Sequence, residues 1–330
     1  MKSIKLLLIA SLVVGGLTAC TANKVEGPTH KARASACLIA PAVAVPGSPE
    51  KQLGYDLVEA KVVYGLNAKE VSVPKNSTDS QIDKLLFNSL KAGCVYFIAT
   101  DSMISSRVTN FVGNHKFVVA LIVGGDVPAD QPANVRWIAD DLASGAALAG
   151  FGAAAKAATD NLYLLVQDSY FEHDLVISSF TAGVKAYNEA TKKNVELTVL
   201  KSSNGAELEN VLNSLDPQVV LAVFAGKSIW QTVKKSGREF LVGSDLQLGN
   251  AQEVDARVFA SVERNFNLAV LNTAKDLIEK RFDLDPVLSE KNALVSGFIE
   301  FRPRDDAVFD GTTTDLLTAY KAQLVAEQNN

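Results

Sequence analysis

The sequence predicts an α/β protein built as two doubly wound lobes that face one another across a cleft. Three observations carry this expectation. Short apolar runs of the kind that form strands buried on both faces alternate with amphipathic stretches along most of the chain. At 330 residues the chain exceeds the roughly 250–300 residues beyond which a single hydrophobic core stops growing. A segment rich in Pro, Gly and Asp, Gly124–Pro132, separates two such alternating series. In folds of this class ligands bind at the carboxyl ends of the strands.

Composition narrows the function classes. Hydrophobic residues make up 48% and charged residues 21% of the chain, an ordinary globular balance. The net charge of −5 offers no basic surface for nucleic acid. Three histidines (His30, His115, His173) and three cysteines (Cys20, Cys37, Cys94) are far apart in sequence. No metal site is expected from so small and scattered a ligand set, and no cofactor motif is present.

The first element is a leader. Met1-Lys2-Ser3-Ile4-Lys5 precedes the apolar run Leu6–Val14, which is shorter than the about 20 residues needed to span a bilayer. The leader closes on Leu17-Thr18-Ala19-Cys20, which resembles the bacterial lipobox, with Cys20 as the lipidated residue. A plain signal peptide with a chance cysteine is the alternative. Cleavage after residue 19 removes Lys2 and Lys5, leaving 30 basic residues against 37 acidic, a net −7. Residues 20–35 read as a polar tether.

The exported part begins at Ala36. Strands are expected at Cys37–Val45, Val71–Val73, Cys94–Ala99, Phe117–Val123, Leu162–Val166, Val195–Leu200, Val219–Phe224, Phe240–Val242 and Phe259–Val262. Helices are expected over Gln81–Lys91, Asp140–Ala158, Leu175–Ala190, Ala206–Leu215 and Leu268–Arg281. The Ala/Gly-rich stretch within Ala143–Ala158 reads as a tightly packed buried helix. Cys37 and Cys94 lie early in the first and third strands, which are neighbours in a doubly wound sheet of order 2-1-3. Export places them where disulfides persist. A Cys37–Cys94 disulfide is expected, with two buried thiols as the alternative.

Several motifs dissolve on inspection. Gly226-Lys227-Ser228 looks like the tail of a phosphate loop, but Leu221 stands where its glycine is required. Gly150-Phe151-Gly152 lies inside a helical run, and packing explains it better than a dinucleotide fingerprint. No Gly-x-Ser-x-Gly elbow is present. Asp140-Asp141 and Asp305-Asp306 read as carboxylate pairs on solvated segments. Trp137 and Trp230 read as buried core residues, with stacking on a ring-shaped ligand as the alternative, and His173 as a surface loop residue. No nucleophile, base and oxyanion donor assemble, so the chain is not expected to be an enzyme.

The informative stretch is Asp140–Asn188. It carries Leu148-Ala149-Gly150 in an alanine-rich helix, the strand Leu162–Val166, and Phe180 to Asn188 reading F-T-A-G-V-K-A-Y-N. Further on come Ala225-Gly226, Val242-Gly243-Ser244-Asp245, and Ala260-Ser261-Val262-Glu263-Arg264-Asn265 followed by Leu268-Ala269-Val270. Together these resemble the basic membrane protein family of lipoproteins, whose best-understood members are purine nucleoside receptors of ABC transporters. The resemblance runs from about Ala36 to the C-terminus. It implies the type I periplasmic-binding-protein architecture, two Rossmann-like lobes with three crossovers. Lobe 1 is then 36–138 plus 261–291, and lobe 2 is 139–260 plus 292–330.

The resemblance also implies a ligand set. Asp245 would accept from ligand hydroxyls and Arg264 would donate to a ring or carbonyl acceptor. Gly226 would admit close backbone approach, Tyr170 would offer a stacking face, and Asp101 ends the third strand. The chain departs from the family at Pro41–Lys51, which lacks the usual acids and phenylalanine, at Leu121 in place of an aspartate, and at Ser203 in place of an aromatic. The function implied is a lipid-anchored, extracytoplasmic solute-binding protein of an ABC importer, with a nucleoside-like ligand, a permease partner and a membrane held through the lipid. It is expected to be monomeric. The alternative is a surface lipoprotein, an adhesin or sensor, that has lost nucleoside binding.

Overall fold

The computed structural model describes residues 34–100, 102–124, 130–202, 205–243, 257–284 and 293–328. Cys20 and the leader, Asp101, Ser203 and Asp245 lie outside the described residues.

The first lobe is a parallel sheet of β1 (Ser35–Pro41), β2 (Asn67–Val73), β3 (Cys94–Ala99), β4 (Val119–Val123) and β5 (Val135–Ile138), in the order β2-β1-β3-β4-β5. The second contains β6 (Asn161–Gln167), β7 (Glu196–Ser202), β8 (Val220–Phe224), β9 (Phe240–Val242), β10 (Val258–Arg264) and β11 (Ile299–Pro303), in the order β11-β10-β9-β8-β6-β7. Among the described strands only β11 runs antiparallel to its neighbour. Each sheet therefore winds outward in both directions from its first strand. Central strands such as β4 (VALIV) and β8 (VLAVF) are buried at every residue, as helices on both faces require. The edge strands β2 and β7 are largely open to solvent.

Helices α1 (Pro49–Tyr64), α2 (Asp79–Lys91) and α3 (Ser102–Gly113) cover the first sheet, and α4 (Leu142–Lys156), α5 (His173–Thr191), α6 (Gly205–Ser214) and α7 (Lys227–Lys235) belong to the second. The chain returns to the first lobe for α8 (Asn267–Ile278), which packs on α1 and β4. It ends in the second lobe with the short α9 (Ala293–Ser296) and the C-terminal α10 (Gly311–Gln328), which packs on α4. The lobes are thus joined three times: between β5 and α4, between β10 and α8, and between α8 and β11. The second crossing comes after Arg264 instead of at residue 261, because β10 stays paired with β11 through Arg264. The first expected strand, Cys37–Val45, stops at Pro41, and residues 42–48 leave the sheet as a loop.

Apart from Ala143, the alanine-rich α4 is buried from Leu142 through Ala154. Its small residues let α5 lie backbone to backbone against it. A Cβ at Gly150 would fall 2.1 Å from the Phe180 carbonyl oxygen, and one at Gly183 would fall 1.9 Å from that of Ala147. On the face of the first sheet covered by α2 and α3, Cys37 and Cys94 form a buried disulfide, with 5.9 Å between their Cα atoms. Closing a loop of 57 residues stabilises by roughly 4 kcal/mol on the chain-entropy model.

One buried acid makes stability depend on pH. Asp56 on α1 is 4% exposed; its Oδ1 accepts from Gln52 Nε2 at 2.8 Å, while Oδ2 has no partner among the described residues. Burial above all, with the nearby charge of Glu59, pushes its pKa up to about 7. The folded protein holds this proton where the unfolded chain, with the ordinary carboxylate value, has released it. Stability therefore falls as pH rises from about 4 to 7, and the full penalty, roughly 2–4 kcal/mol, persists above that. Asp56→Asn is expected to gain that amount at pH 8 and almost nothing at pH 4 in urea unfolding. An equal pH dependence in both proteins would show that Asp56 is not the group responsible.

Candidate functional site

The cleft is organised by the loop between β1 and α1. Gly47 adopts φ +77°, and a Cβ there would lie 2.2 Å from the Tyr170 ring. Glycine is therefore required both by conformation and by space. The loop crosses to the second lobe and is tied down there. The Pro46 carbonyl accepts from the Phe171 N–H at 2.9 Å. The Gly47 carbonyl accepts from Arg264 Nη1. Pro46 also packs against Gly226, whose own N–H donates to Gln167 Oε1 at 2.9 Å.

Arg264 and Asp140 clip two of the connecting segments together. Asp140 lies between β5 and α4, and Arg264 ends β10. Nε donates to Oδ1 at 2.8 Å and Nη2 to Oδ2 at 3.0 Å, with the side chains 1% and 5% exposed. Such a two-pronged pair uses the planar guanidinium fork fully. The carboxylate pair Asp140-Asp141 is thus split in role and not solvated as expected. Asp140 is buried on Arg264, and Asp141 caps α4 by accepting from the Ser144 N–H at 3.1 Å.

Beside this clip lies a cavity of about 410 Å³. It opens at the carboxyl ends of β1, β3 and β4, through Pro41, Thr100 and Gly124. The loop contributes Ser48, α1 contributes Glu50, and the second lobe closes the space with Phe171 and Glu172. Glu50 is 8% exposed and accepts from Thr100 Oγ1. Glu172 holds a left-handed backbone (φ 51°, ψ 41°) before α5 and makes no cap hydrogen bond with its side chain. Partial enclosure of its carboxylate, and secondarily the Asp140 charge, raise its pKa, while Arg264 pulls the other way. A larger depression of about 520 Å³ lies over α5 and β7, away from any strand end. Position, not size, marks the cleft cavity as the site.

The structure brings together three of the residues singled out in the sequence. Tyr170 is 3% exposed and stands edge-on to Phe224, its ring held against Gly47. Gly226 supports Pro46, and Arg264 holds Asp140 and the Gly47 carbonyl. All three face the chain's own loop. The cavity's Glu50, Thr100 and Glu172 carried no signal in the sequence beyond their residue types. Trp137 is buried and donates to the Gly124 carbonyl at 2.8 Å; Trp230 is also buried. His173 opens α5 at the surface instead of lying in a loop. Among the described residues no group of three or more His, Cys, Asp or Glu is placed to hold a metal.

Two doubly wound lobes, three connections and a cavity at the strand ends define the type I periplasmic-binding-protein fold, the fold of binding proteins and regulators. No protein-family model matches the chain, and no curated protein matches its sequence. Among solved structures it is similar to an ABC transporter system solute-binding protein from Conexibacter woesei, at a TM-score of 0.60 and 11% identity, over 89% of this chain and 97% of that one. A solute-binding protein of an ABC transporter system from Aeropyrum pernix gives a TM-score of 0.58 at 14% identity, over 89% and 90% of the two chains. A transcriptional activator of the comK gene from Bacillus halodurans gives 0.59 at 12% identity, over 87% and 96%. At these identities the likeness is one of fold.

Proposed function

We propose that the chain is an extracytoplasmic solute-binding protein, anchored through lipid on Cys20, that delivers a small solute to the permease of an ABC importer. The observation that carries this reading is the cavity at the carboxyl ends of the first sheet, walled by both lobes. Its volume falls within the range of small-molecule pockets. A nucleoside is the ligand that the family resemblance implies. One observation favours the second reading, a surface lipoprotein without solute binding: Tyr170, Gly226 and Arg264 are engaged by the chain's own loop.

A thermal-shift screen of the purified protein against nucleosides, bases, sugars and small amines separates the two. A ligand at 100 times its dissociation constant stabilises by about 2.7 kcal/mol. At least one compound is expected to raise the melting temperature in proportion to the logarithm of its concentration. A flat response across the screen favours the second reading. The anchor is checked separately, by mass spectrometry of the mature N-terminus for an acylated Cys20.

A further inference from the structure

The charges around the cavity point to the class of solute. Its described walls contain three carboxylates, Glu50, Asp140 and Glu172, and no Lys, Arg or His. Arg264, behind the wall, pairs with Asp140 and donates to the Gly47 carbonyl, and its charge also acts on Glu172. Glu50 and Glu172 form no salt bridge among the described residues, and of the two only Glu172 feels the Arg264 charge.

Glu50 is the informative one. It is 8% exposed, its Oε1 accepts a single hydrogen bond from Thr100, and its Oε2 is buried with no partner among the described residues. Ser48 Oγ, on a residue 5% exposed, also has no partner among the described residues. Buried polar atoms are nearly always satisfied, and a buried carboxylate short of donors is costly. Its place in the first turn of α1 suits a negative charge, but that favours the carboxylate without supplying a hydrogen-bond donor to Oε2. Glu172 keeps a left-handed backbone that is uncommon for a residue with a side chain, and it caps nothing. Val43, Val123 and Phe171 add apolar surface to the cavity lining.

We infer that the solute is a small organic cation, with an ammonium or guanidinium group seated between Glu50 and Glu172 and an apolar body along Val123 and Phe171. This rests on the solute-binding reading and names its substrate class. A neutral nucleoside supplies hydroxyl donors but leaves the charge of Glu50 uncompensated; a cation supplies donors and charge together.

Calorimetric titration of the purified protein tests the assignment, with putrescine, agmatine and choline as cationic probes and adenosine, inosine and ribose as neutral ones. At least one cation is expected to bind more tightly than every neutral probe. Glu50→Gln, close to isosteric, is expected to weaken it ten- to a hundred-fold. Glu172→Gln lies at an exposed position where folding is not at stake, and is expected to weaken it at least several-fold while both proteins keep the native far-UV spectrum. A neutral probe that binds best, with affinity unchanged in both variants, would overturn the cation assignment and leave the solute-binding reading standing. Failure of all six probes would overturn both.

Discussion

Arg264→Met is expected to destabilise the protein by about 3–5 kcal/mol, although it exchanges one long flexible side chain for another of lower polarity. The reason is what stays behind. The Asp140 side chain is 5% exposed and has Arg264 as its salt-bridge partner at 2.8 Å, so the variant strands a carboxylate in the interior. The Gly47 carbonyl loses the Arg264 donor in the same step. The loop between β1 and α1 then keeps the hydrogen bond from Phe171 to Pro46 and its packing on Tyr170 and Gly226, but loses its one charged donor from β10. The double variant Arg264→Met/Asp140→Leu removes both charges and is expected to recover more than half of the loss. Chemical unfolding of the two variants decides this. A single variant as stable as the native protein would mean that the pair is not the clip between the connecting segments.

Gly183→Ala is expected to cost at least about 3 kcal/mol, at the upper end of what one added methyl group does to a packed interior. Its Cβ would sit 1.9 Å from the Ala147 carbonyl oxygen and 2.9 Å from the Phe151 nitrogen. Those are backbone atoms of α4, which cannot rotate aside as a side chain would, so α5 must back away as a unit. Gly54→Ala in α1 is the control. Nothing lies within 4 Å of the Cβ position there, and the change is expected to stabilise by up to about 1 kcal/mol through helix propensity. Thermal unfolding of the pair should show opposite signs. Equal effects would mean that the α4–α5 contact is looser than described.

Much of the fold was legible because it rests on local pattern. β4 and β8 are uninterrupted apolar runs, and the small residues along α4 mark a tightly packed helix by composition alone. The pairing of Cys37 with Cys94 follows from strand order. The missed strands have physical reasons. β5 reads Val-Arg-Trp-Ile, and Arg136 breaks the apolar run because its charge is satisfied inside, by Thr273 at 2.8 Å and Asp276 at 3.0 Å. β11, at an edge, alternates too briefly to stand out. α1 escaped because Tyr55, Val58 and Val62 face solvent while Leu53, Leu57 and Ala60 face the core, which erases its amphipathic period.

The site was less legible than the fold. Arg264 and Asp140 are 124 positions apart, and no spacing rule connects them. Gly47 reads as one more turn residue in the sequence, and only the fold sets the Tyr170 ring against it. Glu50 and Glu172 come together only when the second lobe closes over the first.

The proposed function requires a solute in the cavity at the strand ends of the first lobe. Ala44 is exposed and lines that cavity, so Ala44→Trp can fill its mouth without disturbing the core. The decisive measurement is the thermal shift of Ala44→Trp with the compound that most stabilises the native protein. An unchanged melting temperature without the compound, and loss of the shift with it, is the predicted result. A shift of native size in Ala44→Trp would place the solute elsewhere and contradict the account.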